Sequence, residues 1–335
     1  MGRVLVLHAG GTIGMVASPT GYRPAEGFPV RLREQLLAHG GQRLPDFEVA
    51  ELTPIDSAEL RPGDWALMAR ALAQRWAEFD GFVVLHGTDT MAWSASALSF
   101  VLRGANKPVI FTGSQIPMSE PRSDGLANVE AALQLATTPG LAEVGLCFGR
   151  YLLRGNRARK LATARFDAFD SPNALPLAEF GIDITVHHHR LLTPPAPSPP
   201  FVVPDFDDEA VAVLTLYPGV SGGAVDALLA NPRVRGLVLH SYGAGNVPAN
   251  HQGFMAALAR AAARGVVLVN VTQCLHGSVQ QGAYATGSAL GALGAVPAGD
   301  MTLEAAFAKL HVLLATQTDA DAVRRGMAEG WCGEV

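Results

Sequence analysis

Two short apolar runs, each ending in a turn of glycine and threonine, constrain this chain more than any other feature. Val4-Leu5-Val6-Leu7 runs into HAGGTIG, which sets Thr12 among Gly10, Gly11 and Gly14, and Phe82-Val83-Val84-Leu85 runs into HGTDTMA, which presents Thr88 and Asp89. A short, unbroken apolar run bounded by turn residues reads as a strand buried on both faces, the kind found in a parallel sheet. Both threonines then stand at carboxyl ends of strands, the edge at which open α/β sheets bind ligands. Gly10 and Gly11 let backbone N–H groups approach a ligand unobstructed, as donors to a developing oxyanion. A threonine hydroxyl is a weak nucleophile until a base takes its proton, so the chemistry needs a third party, with Asp89 and a distant lysine as candidates. Each turn also has a plainer reading on its own: a tight strand-to-helix connection for HAGGTIG, a capped helix start for HGTDT.

The 335 residues, 49% hydrophobic and 16% charged, suffice for a large core and predict two domains. A net charge of −5 gives no footprint for nucleic acid or an anionic membrane, and no apolar run is long enough to span a bilayer, which points to a small-molecule enzyme. Strand patterns at Val4 to Leu7, Phe82 to Leu85, Val109 to Thr112 and Val144 to Phe148 alternate with helical patterns at Asp64 to Glu78, Thr90 to Leu102 and Gly125 to Ala136. This predicts a larger N-terminal α/β domain over residues 1–193, built on a parallel sheet. Proline-rich, then acidic sequence over 194–210 reads as a linker. A smaller C-terminal α/β domain over 211–335 follows, with strands at Val211 to Tyr217, Val234 to His240 and Val266 to Val271 and a closing helix from Thr302 to Leu314. Between the first strand and the next helix, Met15 to Pro29 is expected to be an irregular excursion carrying Tyr22.

Only four apolar residues separate Arg3 from the first turn, too few for a signal-peptide core, and Cys147, Cys274 and Cys332 are odd in number and scattered. Both features predict a reducing, cytoplasmic setting with free thiols. No metal is expected. Consecutive His187, His188 and His189 would point to alternating faces of a strand and fit a loop or edge better, and His8 and His86 lack zinc-site spacing.

Further segments extend the two turns into a pattern. GYRP at Gly21 to Pro24, TPIDSAEL around Ser57, TGSQIPMSEPRSDG from Thr112 to Gly125, YLLRGNRARK ending at Lys160, FDAFDSPN from Phe166 to Asn173, SYGAGNVP from Ser241 to Pro248 and TQC at Thr272 to Cys274 follow in order. Over nearly its whole length the chain resembles the L-asparaginase family, most closely the bacterial type I, cytoplasmic-like branch. The resemblance implies hydrolysis of L-asparagine to L-aspartate and ammonia, without a cofactor, by a homo-oligomer that is a dimer or a dimer of dimers. It implies Thr12 as the nucleophile, aided by Tyr22 from a mobile loop that closes over substrate, and a buried triad of Thr88, Asp89 and Lys160 for proton traffic. Spacing alone leaves open which threonine is acylated, and read without the family Lys160 is one cation of a solvated basic run.

An amino-acid substrate brings a carboxylate and an ammonium, and no arginine is aimed at the former. Ser57, with neighbouring Asp56 and the backbone N–H groups around Ser57, Thr88 and Gly11, is expected to bind that end, and ionised Asp89 suits the ammonium. Ser114 is placed to accept or orient the leaving amide, and the resemblance brings Asn246 in from a neighbouring subunit. Two other functions compete. The asparaginase-like subunit of an archaeal tRNA amidotransferase carries an extra amino-terminal domain, whereas here the site strand starts at Arg3; a silent amino-acid sensor would need no second threonine-lysine relay. Type I members can also carry an asparagine effector site near the SYG and TQC segments. This chain keeps Tyr242 and Cys274 but has His240 where relatives have arginine, and Arg159 where they have a small polar residue, which predicts weakened effector binding at neutral pH.

Overall fold

A computed structural model of the chain describes residues 2–19, 21–24, 26–40, 44–193, 200–281 and 285–335. Two compact units divide at Val203/Pro204. In the first, the strands are β1 (Arg3–Gly10), β2 (Met15–Ser18), β3 (Gly21–Pro24), β4 (Asp46–Ile55), β5 (Gly81–Leu85), β6 (Val109–Thr112), β7 (Val144–Phe148), β8 (Tyr151–Arg154), β9 (Arg159–Lys160), β10 (Phe169–Asp170), β11 (Ala178–Phe180) and β12 (Ile184–Val186). Its helices are α1 (Phe28–Gly40), α2 (Pro62–Gln74), α3 (Met91–Val101) and α4 (Gly125–Leu135).

The main sheet runs β12-β11-β8-β7-β6-β5-β1-β4. The segment from β4 to β7 is parallel throughout, and β8, β11 and β12 extend it antiparallel. Every residue of β5, β6 and β7 is buried, which is why these strands read as unbroken apolar runs. Val4 and Val6 of β1 and Val83 and Leu85 of β5 pack into one core with Phe28, Leu32 and Leu36 of α1 and Val129, Ala132 and Leu133 of α4; the alternate residues point to the opposite face. Each fully buried Val or Leu here stabilises the fold by about 1.5–3 kcal/mol. β1 has its sequence successor β4 on one side and β5 on the other. The strand order therefore reverses at β1, and the crevice beyond the carboxyl ends of β1 and β5 is the binding position that such a reversal creates.

The segment after β1 departs from the expected irregular excursion. Met15–Ser18 and Gly21–Pro24 pair as a two-stranded antiparallel ribbon, with Tyr22 opposite Ala17. Its second strand is exposed at every residue, so no apolar alternation marked it in the sequence.

The second unit holds β13 (Val211–Thr215), β14 (Gly236–Ser241), β15 (Val267–Thr272) and β16 (Val296–Pro297), all parallel and in sequence order. Its helices are α5 (Gly222–Leu228), α6 (Gln252–Ala263), α7 (Ala285–Ala292), α8 (Leu303–Thr316) and α9 (Ala320–Ala328). Leu237 and Leu239 of β14 pack with Phe254, Leu258 and Ala261 of α6 in its core. Thr302 accepts the Ala305 amide at 3.1 Å and so caps α8; α9, beyond the expected closing helix, is capped by Asp319, which accepts from the amides of Asp321 and Ala322. Of the expected linker, residues 194–199 lie outside the described residues. The rest is packed chain: Phe201 meets Trp76 edge-on at 4.8 Å, and Asp207 and Glu209 pair with Arg233.

No described helix is long and apolar enough to cross a membrane, and no described cluster of His, Cys, Asp and Glu has metal-ligand geometry. Cys147, Cys274 and Cys332 are free thiols. His188 and His189 lie in a single 3-10 turn, His188–Arg190, directly after β12 and His187.

Candidate active site

Three strand ends meet in the crevice beside β1. Gly10 and Gly11 turn the chain at φ 113° and 95°, values that L side chains avoid, and Thr12 opens the 3-10 turn Thr12–Gly14 that follows. A β-carbon on Gly11 would lie 2.4 Å from the Gly87 nitrogen, and one on Gly87 would lie 2.4 Å from the Ser57 hydroxyl oxygen. The turns after β1 and β5 are thus in backbone contact and the Ser57 side chain, after β4, lies against Gly87, so Gly11, Gly87 and Ser57 occupy one spot. Ser57 is buried at the start of its own 3-10 turn, whose Asp56 carboxylate accepts the Ala58 amide at 3.0 Å. Asp56 is thereby engaged as a cap.

At the end of β5, the Lys160 ammonium donates to the Thr88 hydroxyl at 2.7 Å and to the Asp89 carboxylate at 2.8 Å. The helix-cap reading of HGTDT does not hold. Thr90 stands at the N-cap of α3 without a capping bond, and its hydroxyl donates instead to the Ser57 carbonyl at 2.8 Å. Every residue of α3 but Trp93 is buried, and that anchoring, not a cap, fixes its start.

Lys160 arrives by a different route from the solvated run its neighbours resemble. Asn156 and Arg157 are buried in the turn Gly155–Arg157, and Arg157 donates to the Asn173 carbonyl at 3.1 Å. The β9/β10 ribbon then sets Lys160 opposite Phe169, whose ring packs on Phe148 at 5.0 Å. The trio is less enclosed than expected: the Thr88 residue is 6% exposed, but the Asp89 side chain is 66% and the Lys160 side chain 19% exposed. Asp89 is largely solvent-exposed and does not fill a core position.

Two histidines hold the turns. His86 Nδ1 faces the Gly87 carbonyl at 2.8 Å, so it must carry the proton, and Nε2 accepts from Ser94 at 2.9 Å. Burial pushes this imidazole down to about 4, leaving it neutral and locked in one tautomer at neutral pH. His8 lies 4.3 Å from the Phe28 ring and 3.1 Å from Glu51; burial lowers it as well, against the opposing pull of Glu51.

Beyond β6, Ser114 is 1% exposed, and its hydroxyl has no hydrogen-bond partner among the described residues. Next to it stands Gln115, whose side-chain oxygen is 3.5 Å from the Thr88 hydroxyl. Gln115 lies inside a quoted segment, but nothing in its type or spacing marked it; only the folded contact does. Tyr22 sits on the exposed ribbon at 53% exposure, and no hydrogen bond joins it to Thr88, Asp89 or Lys160. Asn246 belongs to the second unit, where it closes a turn by exchanging backbone hydrogen bonds with Tyr242. The structure therefore brings together Gly11, Ser57, Thr88, Asp89 and Lys160 in the first unit, with Thr12 on the same turn as Gly11 and Ser114 on an adjacent strand end, while Tyr22 stands apart on its exposed ribbon.

Comparison with known proteins identifies the family. Residues 3–192 match the family model for the asparaginase N-terminal domain, and residues 210–327 match that for the glutaminase/asparaginase C-terminal domain. L-asparaginase 1 of Escherichia coli is 44% identical, over 99% of this chain and 97% of its own. The crystal structure of L-asparaginase I from Vibrio cholerae superposes with a TM-score of 0.89 at 40% identity, covering 100% of this chain and 99% of that one. The thermostable L-asparaginase from Thermococcus kodakarensis does so at 0.88 and 32%, covering 99% of each. With a reversed-order parallel sheet, two threonine turns at its crevice and both family domains matched in order, the chain belongs to the L-asparaginase family, in its type I branch.

Proposed function

We propose that this chain is an L-asparagine amidohydrolase, acting on a linear amide C–N bond through a threonine acyl-enzyme. The observation that carries the reading is the Lys160–Thr88–Asp89 hydrogen-bonded trio at the crevice, one backbone contact away from the turn that presents Thr12. Thr12 Oγ attacks the side-chain amide carbon of asparagine. A C–O bond forms, the C–N bond breaks, and ammonia departs with the proton that Thr12 gives up. Water then attacks the ester, releases aspartate and returns a proton to Thr12. N–H groups at the Gly11 turn stabilise the oxyanion of both steps. Thr88, with Lys160 and Asp89, moves the protons, and Tyr22 assists Thr12 as its ribbon closes and excludes water.

Substrate specificity follows from charge and length. Ser57, beside Asp56, takes the α-carboxylate with the N–H groups near it, Asp89 takes the ammonium, and Ser114 orients the departing amide. The unpartnered, buried Ser114 hydroxyl supports that role, since an orphaned buried hydroxyl awaits a partner. Asn246 completes the site from a neighbouring subunit of a homo-oligomer, a dimer or a dimer of dimers, working in the cytoplasm. The domain limits 1–193 and 211–335 fit the division into two compact units.

The test is ammonia release from L-asparagine by the purified chain, with mass spectrometry of quenched enzyme for an aspartyl ester on Thr12. Absence of turnover overturns the activity; turnover with the ester on Thr88 overturns the assignment of the nucleophile.

A further inference from the structure

We infer that Gln115 is a positioning residue of the relay, which aims the Thr88 hydroxyl by holding its proton away from Lys160. The inference deepens the proposed amidohydrolase and rests on that reading. Three anchors fix the Gln115 amide. Its backbone N–H is held by the Asp124 carboxylate, 3.0 Å from each oxygen, and the same carboxylate accepts from Ile116 at 3.1 Å and from the Asn128 side chain at 3.1 Å. Asn128 in turn donates to the Gly113 carbonyl at 2.9 Å, so the whole turn after β6 is braced from α4. The side-chain Nε2 donates to the carbonyls of Arg165 at 3.0 Å and Thr163 at 3.4 Å, in the segment directly after Lys160.

With Nε2 committed to two carbonyls, Oε1 is the atom left facing Thr88, and the amide cannot present its nitrogen there. The Thr88 oxygen then has a defined hydrogen-bond polarity. It accepts from Lys160 at 2.7 Å, so its own proton is directed to Gln115 Oε1. At 3.5 Å this second contact is at the outer limit of a hydrogen bond, and such relays tighten when substrate seats. One side chain thus links three parts of the relay: the β6 turn, the Thr88 hydroxyl and the chain that carries Lys160.

The test compares Gln115→Ala and Gln115→Glu with the native chain in three measurements. Gln115→Ala removes the acceptor without adding charge, and is expected to lower kcat about 10- to 100-fold, the scale of a small misplacement in a relay, with KM changed less than about 3-fold and Tm nearly unchanged. Gln115→Glu adds a negative charge next to the relay, which favours protonated forms there and moves the pH profile of kcat to higher pH. The third measurement needs no turnover. Lys107, Lys160 and Lys309 are the lysines of the sequence, so their side-chain NMR signals are separable; Gln115→Ala should shift the Lys160 signal and leave that of Lys309 in place. A kcat and pH profile unchanged in both variants, or a static Lys160 signal, overturns the positioning role. A native chain that releases no ammonia, with the Lys160 signal still moving in the variant, overturns the activity and leaves the positioning intact.

Discussion

Each unit of this molecule holds one lysine hydrogen-bonded to one carboxylate, and the two pairs differ in everything but distance. Lys160 and Asp89 meet at 2.8 Å with their side chains 19% and 66% exposed. Lys309 and Glu334 meet at 2.7 Å with both side chains at 0%. The second pair is saturated: Lys309 also donates to the Glu329 carbonyl and lies 5.0 Å from the Trp331 ring, and Glu334 also accepts the amides of Trp331 and Cys332. Burial works to raise the Glu334 carboxyl, but these hydrogen bonds outweigh it and hold the group below the usual carboxylate range. The first pair is open on its carboxylate side and shares its lysine with a hydroxyl. A buried, saturated pair has no proton to exchange and fixes a conformation; an open pair sharing a hydroxyl can move one. The lesson extends to the strand ends. In the second unit Ser241, Asn270 and Thr272 direct their polar groups to one another and to backbone carbonyls at Gly243 and Gly245, whereas in the first Thr88 is tied to an ionisable group.

The comparison breaks most visibly in activity. Thr12→Ala and Thr88→Ala should each cut asparagine turnover by about 10³-fold or more while leaving Tm close to native, because members of one relay fail together. Near-native kcat in Thr88→Ala would put the open pair on the structural side of the comparison. Next in size is the saturated pair. Lys309→Met strands a buried carboxylate and should cost about 3–5 kcal/mol of stability in chemical denaturation, with kcat per folded molecule unchanged. Adding Glu334→Gln, which keeps an acceptor for the Trp331 and Cys332 amides, should recover part of that loss.

Acid probes both units at once. His86 and His311 are each pushed down from 6.5 to about 4, first of all by burial; at His311, Asp207 opposes the shift and Arg235 adds to it. The unfolded chain takes up these protons first, so stability present above pH 6.5 is withdrawn as pH falls from there towards 4, by about 3 kcal/mol per histidine at full extent. Substituting His86→Asn or His311→Phe should remove about one proton from the pH slope of unfolding; an unchanged slope in either would show that its imidazole is already charged in the folded state.

Smaller again is substrate length. A span fixed between Ser57 and Thr12 should favour asparagine over glutamine by roughly 1–3 kcal/mol in kcat/KM, and equal values would mean that the open site does not measure its ligand. The smallest effect concerns the second unit's strand end. His240 there is nearly buried, with Nδ1 3.3 Å from the Thr215 hydroxyl, which ill suits a carboxylate anchor. Asparagine saturation should be hyperbolic at about pH 7.5; a Hill coefficient clearly above one that His240→Ala abolishes would show that this end also responds to ligand.

What could be read in advance follows burial. β5, β6 and β7 are apolar throughout because both faces are covered, and β14 and β15 are uniformly buried too. β4 escaped notice because it lies at the sheet edge and carries Glu48, which pairs with Arg3 and Arg75. The short antiparallel strands β8, β11 and β12 were missed because they hold too few buried positions to set a period, and α9 because its buried Val323, Gly326 and Met327 sit in a largely polar segment. In the site, the glycine and threonine turns were visible locally. The union of Thr88 with Lys160, 72 residues apart, has no local signature and came only from family resemblance, and the bond from Gln115 to Thr88 came from neither.

The contact of Gly11 with Gly87 and of Gly87 with Ser57 also limits how such a protein can evolve. Any β-carbon at either glycine would come within 2.4 Å of backbone or of the serine oxygen, so adaptive walks by single substitution are closed on that wall of the crevice. The second strand of the ribbon bearing Tyr22 is open to solvent at every residue; with Gly21 held by its φ of 115° and Tyr22 by its proposed role, Arg23 and Pro24 are the positions there with room for other side chains. New substrate preferences, whether selected in nature or in a library, should therefore accumulate on the ribbon while the glycine wall stays fixed.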